Sequence, residues 1–203
     1  MIPAIVLAAG KSTRMGRPKA TLPLAAETFL SRIVHTFHDA GIDDVVIVVG
    51  HQAEGIIESL SRTSQAVRFV LNPEYERGQF SSMQKGLEAV DRSDTSAALV
   101  TLVDVPLVTP ATVRAVVARY LEAKVSIVRP TRGIEHGHPV LIDRSLFATL
   151  RGADPNLGAK SIVRAHASSE GDIAIDDEGA YLDIDTLEEY ERALAVHGFG
   201  APS

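Results

Sequence analysis

The sequence predicts an α/β fold with a mostly parallel central sheet and helices on both of its faces. Three observations predict it. Apolar runs of strand length recur along the chain, they are near-continuous rather than alternating, and helix-patterned segments lie between them. Residues 2–9 form the first run, stopped by Gly10, and read as a buried strand. Phe29, Ile33, Val34, Phe37 and Ala40 then follow the spacing of one buried helical face, closed by Gly41. Residues 45–49 are β-branched throughout and end at Gly50, a second strand. Residues 67–71, 97–103 and 125–128 continue the series. Between the last two, residues 112–123 follow Pro110 and place Val113, Val116, Val117 and Leu121 on one helical side. Beyond Gly133 the rhythm changes: residues 139–142 and 181–184 read as shorter strands, 157–165 as a helix and 186–196 as a closing helix.

Composition bounds the function. A chain of 203 residues with 45% hydrophobic and 23% charged residues is an ordinary single globular domain. It has no cysteine, which excludes disulfides, thiolate metal sites and a catalytic thiolate. No apolar run reaches membrane-spanning length and Met1-Ile2-Pro3 opens no basic leader, so a cytoplasmic protein that engages no membrane is expected. The net charge of −6 argues against a nucleic-acid partner. Its distribution is uneven: Lys11, Arg14, Arg17 and Lys19 crowd one early loop, whereas positions 170–191 hold ten acids and no Lys or Arg. A basic head suits phosphates and part of an acidic tail suits a cation; most of the tail, including Asp176, Asp177 and Glu188, reads as solvated.

In an open parallel sheet, ligands bind beyond the carboxyl ends of the strands. The loop after the first strand runs Leu7-Ala8-Ala9-Gly10-Lys11-Ser12-Thr13-Arg14-Met15-Gly16-Arg17-Pro18-Lys19. Its small residues let a polyanion reach backbone N–H groups, Arg14 can fork onto phosphate oxygens, and Lys19 supplies a point charge. Gly10-Lys11-Ser12 mimics a Walker A ending, yet Ile5 stands where that motif needs glycine.

This segment resembles the signature loop of the MobA-like nucleotidyltransferases, and within them the molybdenum cofactor cytidylyltransferases. The resemblance runs in order along nearly the whole chain. It implies a three-layer, Rossmann-like (GT-A-like) fold. It divides 1–203 into a nucleotide-binding part, about 1–110, and an acceptor-binding, closing part, about 111–203. It implies that Leu7, Ala8, Ala9 and Gly10 line base and ribose, that Gly10 to Arg14 hold the triphosphate, and that Lys19 is catalytic with Arg14 and Asp104. Lys11 and Arg17 fall at variable positions and read as peripheral.

Asp104-Val105-Pro106 matches the family's D-x-P element, a carboxylate at a strand end that can hold Mg²⁺ with substrate phosphates. Asp183-Ile184-Asp185-Thr186 resembles the closing motif and offers the second carboxylate, Asp183 or, preferably, Asp185; Leu187 and Glu189 depart from its usual Pro and Asp. Gly78 and Ser82 resemble a further nucleotide-binding stretch, with Gln79 beside them, although Ser81 or Ser82 could equally cap a helix.

Gly137-His138-Pro139-Val140 and Gly158-Ala159-Lys160 resemble acceptor-side elements of the cytidylyl branch, so His138 and Lys160 are candidate acceptor contacts. His136 and His138 share a strand face but lack a third zinc ligand in sequence; His35, His38, His51, His166 and His197 form no constellation.

The expected reaction is transfer of a nucleoside monophosphate to a phosphate of molybdopterin, with release of pyrophosphate. Ala9, where guanylyl-transferring relatives carry glycine, favours CTP. The alternatives are GTP with molybdopterin, a sugar- or alcohol-phosphate acceptor, or a carrier that holds the cofactor without catalysis. The family resemblance also implies docking to a recipient apo-molybdoenzyme.

Overall fold

The computed structural model describes residues 1–61 and 66–196; His197 lies outside them. The chain begins with β1 (Ala4–Leu7), passes a short hairpin, β2 (Pro23–Leu24) and β3 (Glu27–Thr28), and enters α1 (Phe29–Asp39). There follow β4 (Val45–Val49), α2 (Ala53–Ser61), β5 (Arg68–Leu71), α3 (Gln79–Val90), β6 (Ala97–Leu102) and α4 (Pro110–Ala123). The remainder is β7 (Ile127–Arg132), β8 (Glu135–His136), β9 (Val140–Asp143), α5 (Phe147–Gly152), α6 (Lys160–His166), β10 (Asp172–Ala174) and α7 (Leu187–Val196).

The main sheet runs β10-β7-β9-β6-β1-β4-β5, with β8 paired to β7. β1 is parallel to both β4 and β6, and β4 to β5, while β9 lies antiparallel between β6 and β7. Strand alternation splits the core into the two expected layers. Ala4, Val6 and Ala8 face the cluster containing Leu30, Ile56 and Val116; Ile5 and Leu7 face the one containing Met83, Leu87 and Phe147. Helices therefore cover both faces, as near-continuous apolar strands demand.

Helix starts follow local chemistry. Thr28 and Ser31 form a reciprocal capping box before Phe29. Pro110 occupies the first turn of α4 behind the Thr109 cap. Three sequence expectations are corrected. Residues 181–184 form no strand, because the segment crosses the strand ends and Ile184 N–H goes to Asp104 C=O at 2.8 Å. Leu121 is 62% exposed, since α4 buries Val113, Val116 and Tyr120 instead. Asp177 is structural rather than merely solvated: its Oδ2 accepts from Thr109 N (2.9 Å), Thr109 Oγ1 (2.8 Å) and Thr112 Oγ1 (2.6 Å), tying the tail to the start of α4. No helix among the described residues is long and apolar enough to cross a membrane.

Candidate active site

Beyond the carboxyl ends of β1 and β6 lies a cavity of about 300 Å³, within the range of small-ligand sites. Leu7, Ala9, Gly10, Arg14, Lys19 and Asp104 line it, together with Gly78, Ser82 and Asp185. Eleven sequence candidates from four distant stretches were named for a nucleotide and its metal, and nine of them line this cavity; Ala8 and Asp183 do not. The Ala8 methyl packs into the core layer below and its N–H is spent on Val48 C=O at 2.9 Å. The pleat puts Leu7 and Ala9 on the cavity side and turns Ala8 away. A Cβ added to Gly10 would meet nothing within 4 Å, so packing within the protein does not require glycine there. The bare backbone leaves that space to a ligand.

Lys19 is 7% exposed, unusually buried for a lysine, and its surroundings explain why. Its Nζ donates to Asp104 Oδ2 at 3.1 Å and to Asp185 Oδ1. Arg14, 66% exposed at the side chain, reaches Asp185 Oδ2 at 3.0 Å. The Lys19 hydrogen bond outweighs burial and, with the charges of Lys19 and Arg14, holds the Asp185 carboxyl below its ordinary pKa. Asp183 behaves oppositely: burial, then the charges of Asp104 and Asp185, push its carboxyl up. Asp183 does not line the cavity, so the preferred aspartate of the pair is the one that faces it.

The donor set fits a hard divalent cation. Asp104 Oδ1 is buried and makes no hydrogen bond among the described residues, leaving a carboxylate oxygen in want of a positive partner. Among the described residues no three acidic, histidine or cysteine groups close on one point. Two carboxylates completed by substrate phosphates and water are the usual Mg²⁺ arrangement. Asp104 and Asp185 are the residues that would hold it.

The closing segment is fixed from both sides. Glu189 Oε2 accepts from Asp185 N and Thr186 N, each at 2.8 Å, while Glu189 N–H donates to Thr186 Oγ1 at 3.2 Å. This is a reciprocal cap at the start of α7, so the Glu at this departure from the family pattern does the capping itself. Ile184 is fully buried beneath it, which aims Asp185 outward.

On the opposite wall, Gly78 (φ +99°) admits α3, and neither Ser81 nor Ser82 caps that helix. The buried Asn72 amide instead donates to Ser81 Oγ at 2.9 Å and Ser82 Oγ at 3.0 Å, holding the Ser82 hydroxyl at the cavity. Tyr75, missed in the sequence, also lines this wall. A Cβ at Gly50 would sit 2.8 Å from the Tyr75 ring, so that glycine admits the aromatic. Its only sequence signal was an aromatic lying between Asn72 and Gly78. Lys11, read as peripheral, is paired with Glu76 at 2.6 Å on the surface.

A second cavity of about 760 Å³ adjoins the first and shares Leu7, Gly78, Gln79 and Leu102 with it. Both acceptor candidates, His138 and Lys160, line it. Burial lowers the His138 pKa below the ordinary histidine value, and its Nδ1 lies 3.5 Å from Val100 C=O. A neutral imidazole can offer a hydrogen bond but no charge. Arg129 and Arg164, which the sequence reading did not single out, line the same cavity.

Residues 4–170 match the model of the MobA-like NTP transferase domain. A nicotine blue oxidoreductase from Paenarthrobacter nicotinovorans is 31% identical over 200 residues, covering 95% of this chain and 96% of that protein. Rv0371c from Mycobacterium tuberculosis, solved in complex with manganese, superposes with a TM-score of 0.75 at 26% identity, covering 96% of this chain and 98% of that one. A nucleotidyl transferase from Methanothermobacter gives a TM-score of 0.78 at 25% identity, with 95% of each chain covered. The glycine-basic loop, the Asp104 and Asp185 carboxylates and the adjoining cavity thus sit on a scaffold that sequence and fold identify together: the chain belongs to the MobA-like NTP transferase family.

Proposed function

We propose that this protein transfers CMP from CTP to the phosphate of a molybdopterin-type acceptor and releases pyrophosphate. The observation that carries the reading is Lys19, held between Asp104 and Asp185 in a glycine-walled cavity that adjoins a larger basic one. An oxygen of the acceptor phosphate attacks the α-phosphorus, the bond from that phosphorus to the bridging oxygen breaks, and pyrophosphate departs with the electron pair. No side-chain nucleophile is required, so positioning and charge neutralisation supply the catalysis. Bound at Asp104 and Asp185, Mg²⁺ would neutralise phosphate charge and orient its oxygens.

The ammonium of Lys19 and the guanidinium of Arg14 stand where negative charge grows as the leaving group separates. The Arg14 contact is exposed and therefore weak, so exchanging it for a phosphate costs little. Leu7 and Ala9 provide the apolar floor for a base, and the Ala9 methyl narrows it in favour of a pyrimidine. The adjoining cavity, carrying His138 and Lys160, takes the acceptor.

The relative from Paenarthrobacter, an oxidoreductase by name and aligned over nearly the whole chain, supports a second reading in which the scaffold serves a redox substrate. One experiment separates the readings. Purified protein is incubated with CTP, GTP, ATP or UTP, molybdopterin and Mg²⁺, and pyrophosphate is followed. Release with CTP alone supports cytidylyl transfer, and release with GTP reassigns the base. Binding of molybdopterin without release from any nucleotide favours a carrier or the redox reading.

A further inference from the structure

The larger cavity carries more positive charge than a single transferring phosphate requires. Lys160 and Arg164 stand four residues apart on α6 and so project from the same helical face. Both line the cavity, and neither side chain makes a hydrogen bond or an ion pair among the described residues. That is uncommon in this chain, where most described arginines and lysines are matched to a carboxylate or a carbonyl.

Arg129 adds a third cation of a different kind. Its side chain is 12% exposed and is fixed by Asp172, its partner across the parallel β7–β10 pair, through Nε at 2.7 Å and Nη2 at 3.4 Å. A half-buried guanidinium held by an adjacent strand is a built feature rather than a solvated surface charge. His136 lines the same cavity as Arg129 and Arg164; burial, then the charge of Arg129 against that of Asp172, then the charge of Arg164, lower its pKa.

These three cations line only the larger cavity; a fourth, Arg77 beside Gly78, is matched to Glu74 at 3.0 Å. The walls shared with the nucleotide cavity are Leu7, Gly78, Gln79 and Leu102, none of them charged. An acceptor phosphate poised for attack must lie at that shared wall, and apolar lining including Met83 and Ile142 belongs to the larger cavity. We propose that this cavity recognises an acceptor bearing a second anionic group, apart from the phosphate that receives the nucleotide, and that Lys160, Arg164 and Arg129 hold that group. The proposal rests on the nucleotidyl-transfer reading for which phosphate reacts. It adds the chemical class of the acceptor: an organic body with an anion at each end.

The test uses probes rather than the unidentified acceptor. Binding of 1,6-hexanediol bisphosphate, of 6-phosphohexanoate and of hexyl phosphate is measured calorimetrically on the intact protein, with a non-hydrolysable CTP analogue present so that the phosphate loop does not compete. In the native protein at least one doubly anionic probe should bind about tenfold tighter than hexyl phosphate, the worth of a charge-assisted contact. Which one does distinguishes a phosphate from a carboxylate. In Lys160→Gln/Arg164→Gln, whose side chains are exposed and unpaired, that ratio should fall to about twofold or less while binding of the CTP analogue is unchanged. Equal affinity for all three probes, no binding of any of them, or a preference that survives the double substitution overturns the proposal. Failure of the CTP analogue to bind counts against the nucleotidyl-transfer reading; the double substitution, which leaves the loop after β1 intact, still reads whether the probe preference belongs to the larger cavity.

Discussion

Lys19 Nζ lies 3.1 Å from Asp104 Oδ2, so the loop after β1 and the end of β6 are joined by a buried ion pair at the cavity floor. Asp185 shares the same ammonium from the far end of the chain. Three segments separated by more than eighty residues each thus converge on one positive charge. A cation between two carboxylates orders the site, and the same carboxylates are the ones suited to a divalent ion.

Replacing Lys19 with Ala is expected to lower kcat by about a hundredfold or more, the range seen when one preorganised donor to developing charge is removed. KM for the nucleotide should change far less, because the contribution grows as the α-phosphorus is attacked. Steady-state kinetics of pyrophosphate release check this. A raised KM at unchanged kcat would make Lys19 a ground-state contact only.

Asp104→Asn and Asp185→Asn should each remove Mg²⁺-dependent turnover and leave the far-UV circular dichroism intact, since the amide keeps the shape and loses the charge. Asp183→Asn should be the mildest of the three, because Asp183 does not line the cavity. Activity titrated against Mg²⁺ concentration reads the order. An Asp183 variant weaker than the Asp185 variant would reverse the assignment.

Ala9→Gly should relax base choice. Ala9 is 4% exposed on the cavity floor, and shape discrimination by one methyl group is worth roughly 10–200-fold. The ratio of kcat/KM for CTP over GTP should fall. An unchanged ratio moves base recognition to the Gly78–Ser82 wall.

Gly137→Ala tests how the acceptor wall is braced against the closing segment. A Cβ there would lie 2.5 Å from Ala180 C=O and 2.9 Å from the Tyr181 ring, just ahead of Asp183 and Asp185, and His138 N–H already donates to Ala180 C=O at 2.8 Å. Overpacking of this kind costs about 1–3 kcal/mol. Chemical denaturation should show that loss, together with a reduced kcat as Asp185 is displaced. Unchanged stability and activity would mean that the segment yields freely.

Asp44 gives a pH-dependent term in stability. Burial alone would raise its carboxyl pKa, but hydrogen bonds from Arg68 and Arg92 prevail and the value falls below 3.8. A folded value depressed below the unfolded one stabilises the protein fully above the unfolded pKa and less as pH drops through the folded one. Asp44→Asn should therefore destabilise at neutral pH, by on the order of 1 kcal/mol after solvent screening. The gap to the native protein should close as pH falls from about 5 toward 3. Denaturant midpoints measured across that range check the sign; a gap that widens in acid contradicts it.

The sequence by itself determined the layered α/β architecture, because apolar strands without alternation have only one stable home, a sheet covered on both faces. It also marked the loop after β1 as the candidate phosphate site, since the backbone access of Gly10 and the charges of Arg14 and Lys19 are properties of short local stretches. The tertiary structure decided what depends on distant segments meeting. Asp185 rather than Asp183 faces the cavity because Ile184 packs into the core and Glu189 pins the backbone, and neither constraint is visible in an Asp-Ile-Asp tripeptide. Ala8 drops out of the site through the pleat of a strand whose partners lie elsewhere in the chain. Arg129 and Arg164 become neighbours of His138 only when β7 and α6 close around one cavity, and charges brought together by folding leave no spacing signal in the sequence.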